Sequence, residues 1–187
     1  MQPRTVTVSE DEYFRLDAES EEKLEYWYGH IVAMAGEQRN HAVISHNALR
    51  ILEGQRPDCL ALTSSLRVRA PGYGRANYAY PDVLLICGEE QYDETRNPPT
   101  LLNPTLLIEV MSDSTKGYDL DDKLHAYLRV DSVAEYWILD ATRPYVRRCT
   151  RFQKGYLVEV YDGPDAVLVS EALALRVPVR DFYERVF

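Results

Sequence analysis

The run Leu106-Leu107-Ile108-Glu109-Val110-Met111 restricts the folds open to this chain more than any other segment. Apart from one carboxylate it is apolar at every position, on both alternating faces of an extended strand. Strands of this kind are usually covered on both sides, so the run belongs in the interior of a sheet with layers above and below it. The two-residue period puts Glu109 on one face with Leu107 and Met111. An ionised carboxylate there is costly unless it is paired or bound to a cation. Tyr80-Pro81-Asp82-Val83-Leu84-Leu85-Ile86 repeats the arrangement, with Asp82 on the face of Leu84 and Ile86. Two acids near strand ends can converge on one divalent ion and leave positions for a phosphate and a water. The residues alone leave two other readings open: Asp82 as a turn cap after Pro81, and Glu109 as the partner of a buried Lys or Arg.

The 187 residues suit one domain, 1–187. With 21 Lys and Arg against 30 Asp and Glu, the formal net charge of −9 excludes a protein that coats nucleic acid by bulk charge, but not one that touches it at a local site. No apolar run approaches the ~20 residues of a membrane span. Residues 1–10 lack the apolar core of a signal peptide. Cys59, Cys87 and Cys149 show no metal-like or redox-like spacing, which predicts reduced thiols, a cytoplasmic location and no disulfide.

Ser9-Glu10-Asp11-Glu12 is a capping box that opens a helix to about Asp17. Leu24 to Ala35 reads as two strands turning near Tyr28-Gly29-His30. Ile44, Ala48 and Ile51 recur at helical spacing over Gln38 to Glu53, with Gly54 as the stop. Leu60 to Ala70 and Asn77 to Cys87 read as strands around the Pro71-Gly72-Tyr73-Gly74 turn. Glu89 to Asn103 reads as a loop, Lys116 to Val130 as a helix, and Ala134 to Asp140 as a strand. Tyr145 to Phe152 and Gly155 to Tyr161 form a hairpin, and Arg180 to Val186 a short final helix. The expected class is α/β, of the mixed α+β kind.

Lys123 lies one helical turn after Asp119 and one before Tyr127. It reads either as a solvated partner of Asp119 or as an ammonium that serves the two acids. Glu25, before Tyr26-Trp27-Tyr28, reads either as a third acid or as part of the acidic stretch Glu10 to Glu25, which holds eight acidic residues. His41 falls on the face of Ile44 and Ala48, as a hydrogen-bonded core histidine does. Arg67, Arg69, Arg75, Arg147 and Arg151 serve equally as phosphate contacts or as partners of that acidic stretch. Neither a nucleophile elbow nor a phosphate-cradling glycine loop occurs. Cys149 reads as an inert thiol.

Several segments together resemble the Uma2 family, which is assigned to the restriction-endonuclease-like PD-(D/E)xK superfamily. They are Tyr80-Pro81-Asp82-Val83, Asn103-Pro104-Thr105, Glu109-Val110-Met111-Ser112, Ser114-Thr115, Tyr118-Asp119, Lys123, Tyr127 and Glu135-Tyr136-Trp137. Their order and spacing carry the likeness, which extends over nearly the whole chain. It implies a restriction-endonuclease-like central mixed sheet flanked by helices, with an added β-hairpin. By position, Asp82 and Glu109 resemble the two metal-binding acids. Met111 stands where the superfamily's lysine is expected, and Lys123 matches the lysine displaced onto the following helix. Glu25 matches an auxiliary acid and His41 a recurrent histidine. Tyr28, Ser65 and Asp113 depart from the family pattern without removing Asp82, Glu109 or Lys123.

The resemblance implies hydrolysis of DNA, or another nucleic acid, at one or two Mg²⁺ or Mn²⁺ ions. Asp82, Glu109 and the Val110 carbonyl would be ligands, Lys123 would assist the water or the developing charge, and Glu25 would be auxiliary. A homodimer suits a one-domain nuclease that cuts two strands. The alternatives are a nuclease-like binding module in which Glu109 neutralises Lys123, and a hydrolase of a small phosphorylated substrate.

Overall fold

The structure, a computed structural model, describes residues 7–34, 38–111 and 119–187, with the backbone alone for 119–121. Ser9 accepts a hydrogen bond from the Glu12 N–H at 3.2 Å and opens α1 (Glu10–Glu19), as the capping box predicts. Then follow β1 (Leu24–Trp27), β2 (His30–Ala33), α2 (Arg39–Gln55), β3 (Cys59–Thr63), β4 (Val68–Pro71), β5 (Ala76–Ala79) and β6 (Val83–Cys87). Next are β7 (Tyr92–Asp93), β8 (Thr100–Leu101), β9 (Leu106–Met111), α3 (Asp119–Tyr127) and β10 (Glu135–Asp140). The described chain ends with β11 (Tyr145–Phe152), β12 (Gly155–Asp162), β13 (Val167–Ser170), β14 (Leu175–Pro178) and α4 (Val179–Phe182).

The class is mixed α+β, and the strands form two six-stranded sheets. The first has the order β2-β1-β5-β4-β8-β7 and the second β12-β11-β10-β9-β6-β3; β13 and β14 pair separately. Both large sheets are mixed, because β4 runs parallel to β8 and β9 parallel to β10. All six residues of β9 are buried. On one face Ile108 and Val110 meet α2, α4 and the β13–β14 hairpin through Ile44, Leu52, Phe182 and Val177. On the other, Leu107 and Met111 meet the first sheet and α3 through Val68, Leu101, Leu124 and Tyr127. Tyr13, Phe14, Tyr26 and Tyr78 seal α1 onto the outside of the first sheet. The sheet around β9 thus has helices and a hairpin on one face, and a second sheet with α3 on the other.

Several expected boundaries differ, each for a physical reason. The strand expected over Asn77 to Cys87 is two strands, because β5 lies in the first sheet and β6 in the second. Pro81, with no N–H to give a ladder, sits at the crossing. Leu60 to Ala70 divides between sheets in the same way, into β3 and β4. Gly54 does not stop α2, which runs on to Gln55. A helical glycine costs only ~1 kcal/mol, and the burial of Ile44, Ala48 and Leu52 holds the helix down. The stretch expected as a loop before Asn103 contains β7 and β8, and the β13–β14 hairpin was not expected at all. Lys116 to Tyr118, expected as the start of a helix, lie outside the described residues.

The cysteine expectation is corrected outright. Cys59 and Cys87 are opposite partners in the antiparallel β3–β6 register, 4.5 Å apart at Cα, and form a disulfide. Cys149 is the free cysteine, and burial pushes its thiol up to about 11, so it is inert as expected. The inference from cysteine usage to a reducing compartment therefore has no footing. No helix among the described residues is long and apolar enough to cross a membrane.

Arg67 joins α1 to the first sheet. Its guanidinium is 1% exposed and donates to Asp17 Oδ2 at 2.6 Å, to the Pro98 carbonyl at 2.6 Å and to Thr100 Oγ1 at 2.9 Å. This excludes Arg67 as a phosphate contact and makes it the partner of the acidic stretch. Asp17→Ala removes the counter-charge of a buried cation, a change that costs ~3–5 kcal/mol. A matching fall in urea-unfolding free energy is the expected outcome, against a negligible change for Asp58→Ala on the surface.

Candidate active site

The site is assembled where β9 ends. β6 pairs with β9 through Ile108 and no further, so the last residues of β9 have no strand neighbour on that side. The Met111 carbonyl accepts from the Ala141 N–H at 2.8 Å, on the β10 side. Alternation therefore turns the N–H and carbonyl of Val110 the other way. Asp82, placed there by the Pro81 crossing just before β6, accepts the Val110 N–H on Oδ2 at 2.7 Å. His41 Nε2, from the first turn of α2, lies 3.0 Å from the same oxygen.

Glu109 projects from the opposite face to Ile108, toward α3 and the first sheet. Its Oε1 accepts from Lys123 Nζ at 3.2 Å and from the Tyr127 hydroxyl at 3.0 Å. Lys123 and Tyr127 are one helical turn apart, so one face of α3 delivers both. Lys123 Nζ also lies 3.2 Å from Glu25 Oε2. Glu25 is held from two directions: the Trp27 indole N–H donates to Oε2 at 2.9 Å and the Tyr80 N–H to Oε1 at 3.1 Å. The Trp27 ring meets Tyr127 edge-on, with centroids 5.7 Å apart, and so backs the ammonium with an aromatic wall.

Glu25, Asp82, Glu109 and Lys123 are all at least nine-tenths buried. Glu25 is therefore not part of the acidic surface. Lys123 is not a solvated surface residue either; the Asp119 side chain lies outside the described residues, as do Ser112 to Tyr118 of the motif. His46 and His125 are exposed and elsewhere. Tyr127 and Trp27 had no role in the expectation. The signal for Tyr127 was present, four residues after Lys123. Trp27 shares with Glu25 a face of β1 that only the tertiary structure turns inward.

The electrostatics are unbalanced. Among the described residues, the carboxylates of Glu25, Asp82 and Glu109 gather around the Lys123 ammonium. Burial pushes the Glu109 carboxyl up to about 8, against the downward pull of Lys123, and the Asp82 and Glu25 charges push it further. The hydrogen bonds to Asp82 fall on Oδ2 and those to Glu109 on Oε1. Asp82 Oδ1 and Glu109 Oε2 are thus left without a donor among the described residues. Among those residues no three His, Cys, Asp or Glu side chains form a ligand set by themselves. What the site offers a hard cation is two carboxylate oxygens and the outward Val110 carbonyl, the remaining positions falling to water or substrate. Oxygen donors of this kind fit Mg²⁺ or Mn²⁺.

The Uma2 family model, described as "Putative restriction endonuclease", matches residues 10–180. The chain belongs to the Uma2 family. Two uncharacterized proteins of Synechocystis sp. are similar to it. One is 31% identical over 178 residues, covering 92% of this chain and 90% of that protein. The other is 28% identical over 143 residues, covering 76% and 78%. A crystal structure from Anabaena variabilis, described as "a putative nuclease belonging to DUF820", superposes with a TM-score of 0.76 at 21% identity. It covers 98% of this chain and 100% of its own. The Uma2 chain thus has a restriction-endonuclease-like fold.

The raised Glu109 pKa has a consequence for stability. Between the ordinary value of 4.5 and about 8 the folded state holds a proton that the unfolded state has lost. Metal-free stability therefore falls as pH rises through that window. Glu109→Gln removes the effect. In EDTA, melting-temperature scans from about pH 5 to about pH 8.5 are expected to show the variant gaining on wild type as pH rises. Parallel curves would remove Glu109 as the cause.

Proposed function

We propose that this Uma2 protein is a metal-dependent endonuclease that hydrolyses DNA phosphodiester bonds at the Asp82–Glu109 site. One observation carries the proposal: among the described residues two buried carboxylates meet at the end of β9, each taking its contacts on a single oxygen, Asp82 on Oδ2 and Glu109 on Oε1. Mg²⁺ or Mn²⁺, held by Asp82, Glu109 and the Val110 carbonyl, would acidify a water and neutralise phosphate charge. His41 and the Val110 N–H hold the Asp82 carboxylate in place. Tyr127 does the same for Glu109. Lys123, whose ammonium is backed by Trp27 and tethered by Glu25, would stabilise charge gathering on the phosphoryl oxygens. The low-dielectric surroundings strengthen each of these interactions relative to a site in open water.

A second reading is favoured by one specific contact. Lys123 sits 3.2 Å from Glu109, as it would in a nuclease-like binding module whose acid only neutralises a lysine. The two differ in metal response. Mn²⁺ at a hundred times its Kd stabilises a folded protein that binds it by ~2.7 kcal/mol. Wild type is expected to show such a thermal shift, rising with pH as Glu109 gives up its proton. Asp82→Ala and Glu109→Ala are expected to abolish it.

Cleavage of single- and double-stranded DNA is expected to require Mn²⁺ or Mg²⁺ and to vanish in Glu109→Ala. In Lys123→Met the expectation is ~10²–10³-fold slower cleavage with the metal shift retained, the usual size of a lost charge-stabilising contact. No shift and no cleavage in wild type would favour the binding module. Cleavage of nucleotides but not of polymers would favour the small-substrate hydrolase.

A further inference from the structure

The chain carries a net charge of −9, yet three exposed arginines converge on one cavity of about 790 Å³. Arg69 comes from β4, Arg75 from the β4–β5 turn, and Arg129 from just past α3. None of the three forms a salt bridge among the described residues. Arg75 meets two uncharged oxygens, the Val8 carbonyl at 3.4 Å and the Tyr26 hydroxyl at 3.3 Å. Arg69 acts on Asp93 only through space. The two acids on the cavity wall face other partners. Glu10 accepts from the Ala76 N–H at 3.0 Å and the Tyr78 hydroxyl at 2.9 Å, and Asp131 lies 3.8 Å from Arg151.

An aromatic platform stands at the rim. The Gly72-Tyr73-Gly74 turn holds Tyr73 outward, 78% exposed. Both glycines are needed for this. A Cβ on Gly72 would come within 2.5 Å of the Arg75 carbonyl, and Gly74 has φ +73°. The Tyr73 ring stacks on Tyr28 with centroids 6.1 Å apart and planes 26° off parallel. The Arg129 guanidinium lies 5.3 Å from its centroid. Tyr28 leads to the candidate active site: its hydroxyl donates to the Asp122 carbonyl at 3.5 Å, one residue before Lys123.

We propose that this groove binds an unpaired DNA strand, with Arg69, Arg75 and Arg129 on its phosphates and Tyr73 beneath one of its bases. Charge at one concave place, rather than along a broad face, suits a flexible strand and not a rigid duplex. An exposed ring adds affinity only to a base with a free face, which duplex DNA lacks except at its ends. The inference rests on the nuclease proposal in naming the strand that site would receive, but it is tested without catalysis.

The probe is a fluorescent 12-nucleotide single strand and its duplex, read by anisotropy in EDTA at several salt concentrations. Wild type is expected to bind the single strand and to bind the duplex at least tenfold more weakly. Tyr73→Ala is expected to weaken single-strand binding ~5- to 100-fold, as for other stacking platforms. Tyr73→Phe keeps the ring and is expected to bind as wild type. Arg69→Gln and Arg129→Gln should each lower the salt slope by ~0.7. These side chains are exposed, so unchanged melting temperatures confirm that the variants are folded. Equal affinity for both probes, no binding of either, or indifference to Tyr73→Ala and the arginine variants overturns the proposal. Metal-dependent cleavage with groove variants that bind normally would leave the nuclease standing and remove the groove. Tyr73-dependent binding without cleavage would do the reverse.

Discussion

A carboxylate in the middle of a fully buried strand has to be answered by the rest of the molecule, and much of this architecture supplies the answer to Glu109. An uncompensated charge at such a depth costs several kcal/mol. α3 packs across the open face of β9 and brings Lys123 and Tyr127 to one oxygen of that carboxylate. β1 of the other sheet brings Glu25 to the far side of the same ammonium. The compensation is incomplete, since the Glu109 carboxyl remains pushed up to about 8. A fold that only needed to neutralise an acid would not surround it with two more. The residual negative charge is the physical basis for expecting a divalent cation there.

The division into two sheets serves that same place. The chain crosses between sheets at Pro81, and Asp82 is fixed at the crossing by the Val110 N–H and His41. The pairing of β6 with β9 stops at Ile108, which leaves the end of β9 open exactly where Asp82 approaches. The first sheet contributes Glu25 and Trp27 on its inner side. At its β4–β5 turn it carries the arginine groove and the Tyr28–Tyr73 stack. Arg67 and Arg69, two residues apart, meet opposite fates: one is sealed in as a structural cation with Asp17, the other is left exposed at the groove.

Much of this was legible in the residues. The apolar strand with its single acid, the helix bearing Lys123, the Ser9 cap and the family likeness all depend on local pattern or on order along the chain. What could not be read depends on partners distant in sequence. The strand around Pro81 looked continuous because both halves are apolar, and nothing local says that they serve different sheets. The Cys59–Cys87 disulfide follows from the β3–β6 register, which their spacing does not encode. Glu25 looked like surface because its neighbours toward Glu10 are acidic, while its contacts come from Tyr80 and Lys123.

By itself, then, the sequence determined that a buried strand would carry Glu109, that Asp82 would occupy a comparable position, and that the chain is a Uma2 protein. Periodicity and burial are local consequences of side-chain chemistry, and family membership is a matter of order and spacing. Only the tertiary structure decided which oxygen of each acid is occupied, that one lysine is shared by two carboxylates, and which arginines remain open to solvent. Those outcomes are set by strand register and helix placement between segments as far apart as Glu25 and Lys123, and no local pattern specifies them.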